Sequence, residues 1–181
     1  MEGSVTAAAE VYQPSTGTWT AVPAMPTAVA SATGTRLPSG NLLIAGGRTS
    51  PTGQATNVSQ LFNPLVGNWS VPGLMPVASY GATVMLVPNG LAIYAGGLTN
   101  TGSPTSISAA FSTSTSSWSS FPDMLGEAPA LVSAFLPTPN GGGYWMVTTK
   151  GQVFNFGNAR YFADEPGVQP GVRVAGFAVS Y

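Results

Sequence analysis

Ionic chemistry in this chain rests on five Lys or Arg and six Asp or Glu among 181 residues, and histidine and cysteine are both missing. Without imidazole there is no Ser-His-Asp or Cys-His nucleophile system, no histidine general base and no histidine-ligated zinc or copper. Without a thiol there is no disulfide, thiolate metal site or cysteine nucleophile. Glycosidase chemistry needs two carboxyl groups facing one cleft. Asp164 and Glu165 are adjacent, so an extended backbone turns them to opposite sides, and Asp123 and Glu127 flank a single outer loop. Arg36, Arg48, Arg160 and Arg173 lie far apart in the chain and make no sialidase-like cluster. The tract Asn140-Gly141-Gly142-Gly143 lacks both the Lys-Ser/Thr pair and the following helix of a phosphate cradle, and reads as a hairpin turn. The expectation is a protein with no catalytic residues, no metal and no cofactor.

The scarcity of charge also limits partners. Charged residues make up 6% of the chain, against about 25% in ordinary globular proteins. Nucleic acid is excluded as a partner, because phosphate neutralisation needs clustered Arg and Lys. No apolar run reaches the ~18 residues of a membrane-spanning helix, so membrane insertion is not expected. Residues 1–4 have neither the basic nor the apolar region of a signal peptide. If the protein is exported, its signal has been removed or lies outside this sequence. A nearly neutral surface rich in Ser, Thr, Gly and Asn points to an extracellular or cell-surface protein, and a net charge near zero favours association with a protein partner or with further copies. Asn57-Val58-Ser59 and Asn68-Trp69-Ser70 match the N-glycosylation acceptor pattern, which is common by chance.

The elements that position these residues come from an internal repeat. Trp19, Trp69 and Trp118 are separated by 50 and 49 residues, and so are Met25, Met75 and Met124, and Pro38, Pro88 and Pro137. The doublets Gly46-Gly47 and Gly96-Gly97 are 50 apart, and Tyr12, Phe62 and Phe111 each stand seven residues before a Trp of the series. A shared period across such unrelated landmarks is the signature of a repeat architecture. With 23 Gly and 16 Pro, abundant Val, Thr and Ser, and no reliable 3.6-residue periodicity, the repeat unit consists of short strands and helix is nearly absent. Pro38-Ser39-Gly40-Asn41 and Pro88-Asn89-Gly90 lie between apolar runs and read as hairpin turns.

A period near 50 with a Gly-Gly doublet, then an aromatic, six residues and a Trp, resembles the kelch repeat, most closely its secreted bacterial variety. One unit stands as Tyr12, Pro14, Thr16-Gly17, Trp19, Leu37-Pro38, Gly40, Leu42-Leu43, Gly46-Gly47. The third copy is degenerate, with Thr113 and Ser116 in place of the turn Pro and Gly. After Met124 the pattern changes: Gly143-Tyr144-Trp145-Met146-Val147 and Val153-Phe154-Asn155-Phe156-Gly157-Asn158-Ala159 resemble a repeat of actinobacterial surface proteins. Lys150 and Asn158 stand where that repeat usually has Asp, which removes a carboxylate metal site.

The resemblance implies an all-β fold, a β-propeller of four-stranded antiparallel blades, with about four blades or part of a larger ring. Residues 1–128 hold the kelch-like blades, the first of them partial. Residues 129–181 hold a blade of the second type and the first strand of a following one, over 172–179. Within the first part, 5–12 and 19–22 are the third and fourth strands of the opening blade, 29–36, 42–45, 58–62 and 69–71 the next blade, and 80–121 the third. The Trp residues are assigned to the packing between neighbouring blades. Secreted kelch-type enzymes resembling galactose oxidase use histidines and a Tyr-Cys pair that this chain lacks, so that function does not transfer.

Propellers bind ligands at one mouth, through the loops that here span 48–57, 76–80, 98–106 and 126–130. Arg48, Tyr80, Asn100 and Glu127 are the polar or amphipathic residues placed there, and aromatic and amide groups suit a sugar face. The leading expectation is a non-catalytic extracellular module for structural or adhesive association. The alternatives are a lectin-like module that binds a polysaccharide and an inert piece of a larger secreted enzyme.

Overall fold

The computed structural model describes residues 5–123, 132–138, 142–148 and 152–160, and over these the chain is all-β with no helix. Four antiparallel sheets follow one another along the chain. The first is the hairpin β1 (Ala9–Gln13) and β2 (Thr18–Val22). The second is β3 (Thr33–Arg36), β4 (Leu42–Ala45), β5 (Ser59–Asn63) and β6 (Asn68–Ser70), in chain order. The third repeats it with β7 (Thr83–Leu86), β8 (Leu91–Ala95), β9 (Ser108–Ser112) and β10 (Ser117–Phe121). The fourth has β11 (Val132–Pro137), β12 (Gly143–Thr148) and β13 (Val153–Gly157). These strands lie within one to four residues of the expected ones. Glu127, Asp164, Glu165, Arg173, the expected strand 172–179 and the boundary at 128 fall outside the described residues.

Local chemistry accounts for the hairpins. Between β3 and β4 the Gly40 amide donates to the Leu37 carbonyl at 2.9 Å, and Gly90 repeats this with Val87 at 3.0 Å. Before β6 the Asn63 side-chain oxygen accepts from the amides of Leu65 and Val66, an Asx turn. That turn ends on Gly67 at φ +73°, as the first hairpin ends on Gly17 at φ +68°. In the third sheet the same place holds Ser116 at φ +52°, so a residue with a Cβ takes the left-handed conformation that glycine accepts without strain.

Period-2 alternation gives each sheet two faces. Leu43 and Leu61, with Leu37 from the β3–β4 turn, are buried against Ala92, Phe111 and Trp118 of the third sheet. Ala45, Met75 and Val77 pack on Tyr94 and Ala109. The opposite face of the third sheet buries Val87, Ile93 and Ala110 beneath Phe121, and Ala95 meets Tyr144 and Met146 of the fourth. The first strands of successive sheets adjoin, β3 beside β7 and β7 beside β11.

The Trp series shows how the stacking is fastened. Each Trp sits beside the aromatic of its paired strand, with centroids 5.2 Å apart for Tyr12–Trp19, 5.0 Å for Phe62–Trp69 and 5.2 Å for Phe111–Trp118. The Trp118 indole donates to Ser59 Oγ in the preceding sheet at 2.9 Å, and Ser59 in turn donates to the Gly73 carbonyl at 2.7 Å. One repeat earlier Ala9 stands at the position of Ser59 and cannot relay, so Trp69 donates directly to the Pro23 carbonyl at 2.7 Å, the equivalent of Gly73. Trp19 departs from the expected inter-sheet packing: it is 66% exposed, and Tyr12 beside it 46%. Their face of β1–β2 is turned away from the second sheet, and no described sheet lies against it.

Candidate functional site

The loops that follow the Gly-Gly doublets meet the connection between the second and third sheets. Arg48 and Ala30 exchange two backbone hydrogen bonds of 2.8 and 2.9 Å, and Tyr80 and Leu98 exchange two of 2.8 and 3.1 Å. The Gly47 amide donates to the Ser79 carbonyl at 3.0 Å, and the Gly81 amide to the Ser31 carbonyl at 2.9 Å. Such approach requires glycine. A Cβ on Gly46 would lie 2.7 Å from the Ser79 carbonyl oxygen, and one on Gly97 would lie 2.7 Å from that of Tyr80.

Three of the four residues expected at the mouth come together here. The Arg48 guanidinium lies over the Tyr80 ring, 4.4 Å from its centroid, a cation–π contact. Asn100 accepts the Ala55 amide on its side-chain oxygen and so fastens loop 98–106 to loop 48–57. Its oxygen serves the scaffold, and its amide nitrogen remains available as a donor. Arg48 and Tyr80 are half-buried and Asn100 is exposed. Arg48 Nε is buried and has no hydrogen-bond acceptor. Arg36 and Arg160, the other described arginines, are exposed.

Beneath Tyr80 lies a buried polar network that the sequence reading missed. The Tyr94 hydroxyl donates to the Ser79 carbonyl at 2.9 Å, the Ser79 hydroxyl donates to the Gly96 carbonyl at 3.1 Å, and the two hydroxyls are 2.9 Å apart. Burial pushes the Tyr94 phenol up to about 12, opposed in part by its contact with Ser79. The network holds the backbone on both sides of the cation–π pair. A signal for it exists in the repeat: 50 residues earlier Ser79 is Val29 and Tyr94 is Ile44, an apolar pair. The same subtraction marks the site itself. Tyr80 stands where the previous copy has Ala30, Asn100 where it has Ser50, and Arg48 where the next copy has Leu98. These five departures lie in one region, while others, such as Arg36 against Leu86, lie elsewhere in the unit.

A cleft of about 300 Å³ lies elsewhere, at the seam of the third and fourth sheets, where Val87, Leu91, Ile93, Phe121 and Tyr144 form its apolar wall. None of the described residues that line it is charged, and its position is that of a packing seam. No group of three or more His, Cys, Asp or Glu suited to a metal occurs among the described residues. No described helix is long and apolar enough to cross a membrane.

No protein-family model and no curated protein matches the chain. Among solved structures, that of YjhT is similar, with a TM-score of 0.65 and 18% sequence identity over 86% of this chain and 56% of that one. The chain therefore spans a little over half the length of YjhT, and at this identity the likeness is one of fold.

Proposed function

We propose that the chain is a non-catalytic β-propeller module of kelch type, working outside the cell, that binds a carbohydrate at the Arg48–Tyr80 pair. Support for the propeller comes from the successive antiparallel sheets, the 49–50-residue repeat and the adjoining first strands β3, β7 and β11. The observation that carries the binding reading is the half-buried guanidinium laid over the half-buried Tyr80 ring, with the exposed Asn100 on the adjoining loop. Sugar rings stack their apolar C–H faces on aromatic surfaces and offer hydroxyls to charged and amide groups, and Tyr80, Arg48 and the Asn100 amide nitrogen supply that set. The test is retention of the purified chain on a panel of immobilised polysaccharides. Tyr80→Ala and Arg48→Ala are each expected to reduce retention at least about tenfold, with the unfolding midpoint of Tyr80→Ala monitored in parallel. Retention that survives both substitutions would sink this site.

A second reading, structural or adhesive association with a protein partner or further copies, is favoured by the exposed Tyr12–Trp19 face of β1–β2. It predicts self-association measurable by light scattering.

A further inference from the structure

We infer that Ser31 is a further binding residue of the Arg48–Tyr80 site, its hydroxyl hydrogen-bonding the carbohydrate held there; this rests on the carbohydrate-binding reading above. Ser31 has φ +54°, in the left-handed region that a residue with a Cβ enters only at a cost. Its surroundings impose that conformation. Ala30 is tied to Arg48 by two backbone hydrogen bonds, and the Ser31 carbonyl accepts the Gly81 amide at 2.9 Å. Gly47 lies tight against the same segment, since a Cβ on it would stand 2.7 Å from the Ala30 carbonyl oxygen and 3.1 Å from the Ala32 Cβ.

The next copy meets the same demand with glycine. Gly97 lies tight against Tyr80 and Ala82, and the residue between them is Gly81 at φ +63°. Glycine therefore suits this place, and the scaffold does not call for the serine side chain. That side chain is exposed. Its residue follows Ala30, the backbone partner of Arg48, and is hydrogen-bonded to Gly81, the residue after Tyr80, so it stands beside both members of the cation–π pair. Strained backbone held by its surroundings clusters at ligand-binding places. A serine hydroxyl is both donor and acceptor and so matches a sugar hydroxyl. Ser116, at φ +52°, is the other described residue with a Cβ in the left-handed region. It lies in the turn after β9, at the Leu91 end of β8 rather than the Gly96-Gly97 end, and stands where the earlier copies have Gly17 and Gly67.

The test compares Ser31→Gly, Ser31→Ala and Ser116→Gly with the unaltered chain on immobilised cellulose, chitin, dextran and polygalacturonate, with unfolding midpoints measured in parallel. Both Ser31 variants are expected to weaken retention about threefold or more, as loss of one hydrogen bond does. Ser116→Gly relieves the same kind of strain away from the site and is expected to leave retention unchanged. Neither glycine variant should lower the midpoint, because relief of left-handed strain offsets the freedom that glycine adds to the unfolded chain. Undiminished retention in Ser31→Gly or Ser31→Ala would overturn the inference and leave the carbohydrate reading standing. An equal loss in Ser116→Gly, or a loss in Ser31→Gly that comes with a lowered midpoint, would also overturn it. Failure of the unaltered chain to be retained on any of the polysaccharides would remove the carbohydrate reading and this inference with it.

Discussion

At the scale of single residues, Tyr94 shows how a buried side chain fixes the backbone beside a half-buried one, Tyr80. Its hydroxyl and that of Ser79 satisfy the carbonyls of Ser79 and Gly96, leaving the backbone on either side of Tyr80 little freedom. A phenol whose folded pKa is raised holds its proton more tightly folded than unfolded. Its contribution is therefore complete below pH 10, where both states are protonated, and is lost between pH 10 and about 12 as the unfolded chain ionises first. The loss at Tyr94 is on the order of 2–3 kcal/mol. Denaturant midpoints measured from pH 8 to 12 are expected to be level up to about pH 10 and to fall above it. Tyr144, also pushed up by burial, adds to the fall. Tyr94→Phe should make the fall shallower while lowering stability near neutrality by about 0.5–1.5 kcal/mol, because the Ser79 carbonyl loses a buried hydroxyl donor and keeps only the Gly47 amide. An unchanged alkaline profile in Tyr94→Phe would contradict this account.

At the scale of elements, the tryptophans of β2, β6 and β10 occupy equivalent places with unequal duties. Trp118 is packed among residues of two sheets and bonded to Ser59, so Trp118→Ala should cost about 3–5 kcal/mol. Trp19 has the same aromatic neighbour on its own hairpin but no described sheet to reach, and Trp19→Ala should cost under about 1 kcal/mol. Equilibrium unfolding of the two variants side by side checks the contrast, and similar losses would mean that Trp19 is covered in solution. The strands themselves were legible from the chain: Gly40, Gly90 and Gly67 sit in turns that local chemistry closes, and apolar runs between them form strands near the expected places. The difference in burial was not legible, because Tyr12–Trp19 and Phe111–Trp118 share one spacing and differ only in what lies opposite.

At the scale of the whole molecule, the exposed Tyr12–Trp19 face is the feature on which the association reading is tested. Exposed aromatics on a nearly neutral surface lack the charges that keep sheet proteins apart. Light scattering on a sizing column at two concentrations is expected to give a mass above that of one chain at the higher concentration. Tyr12→Ser combined with Trp19→Ser should return it to 18.3 kDa. A monomer at both concentrations would remove the association reading and leave the Arg48–Tyr80 site as the functional surface. The two surfaces lie on different elements, so glycan retention and self-association can be separated by variant.

Sequence alone determined the strand order, the repeat period, the exclusion of thiol and imidazole chemistry, and three residues that the fold brings to one region. These properties depend on residue identity and on spacing within a few tens of positions, where alternation, turn residues and composition act locally. Tertiary structure alone decided that Arg48 lies on Tyr80, that Asn100 binds loop to loop, that Ser79 and Tyr94 support them from beneath, and that Trp19 is left open. Each of these depends on which face of one sheet meets the next, and a face-to-face contact has no local signature in the chain.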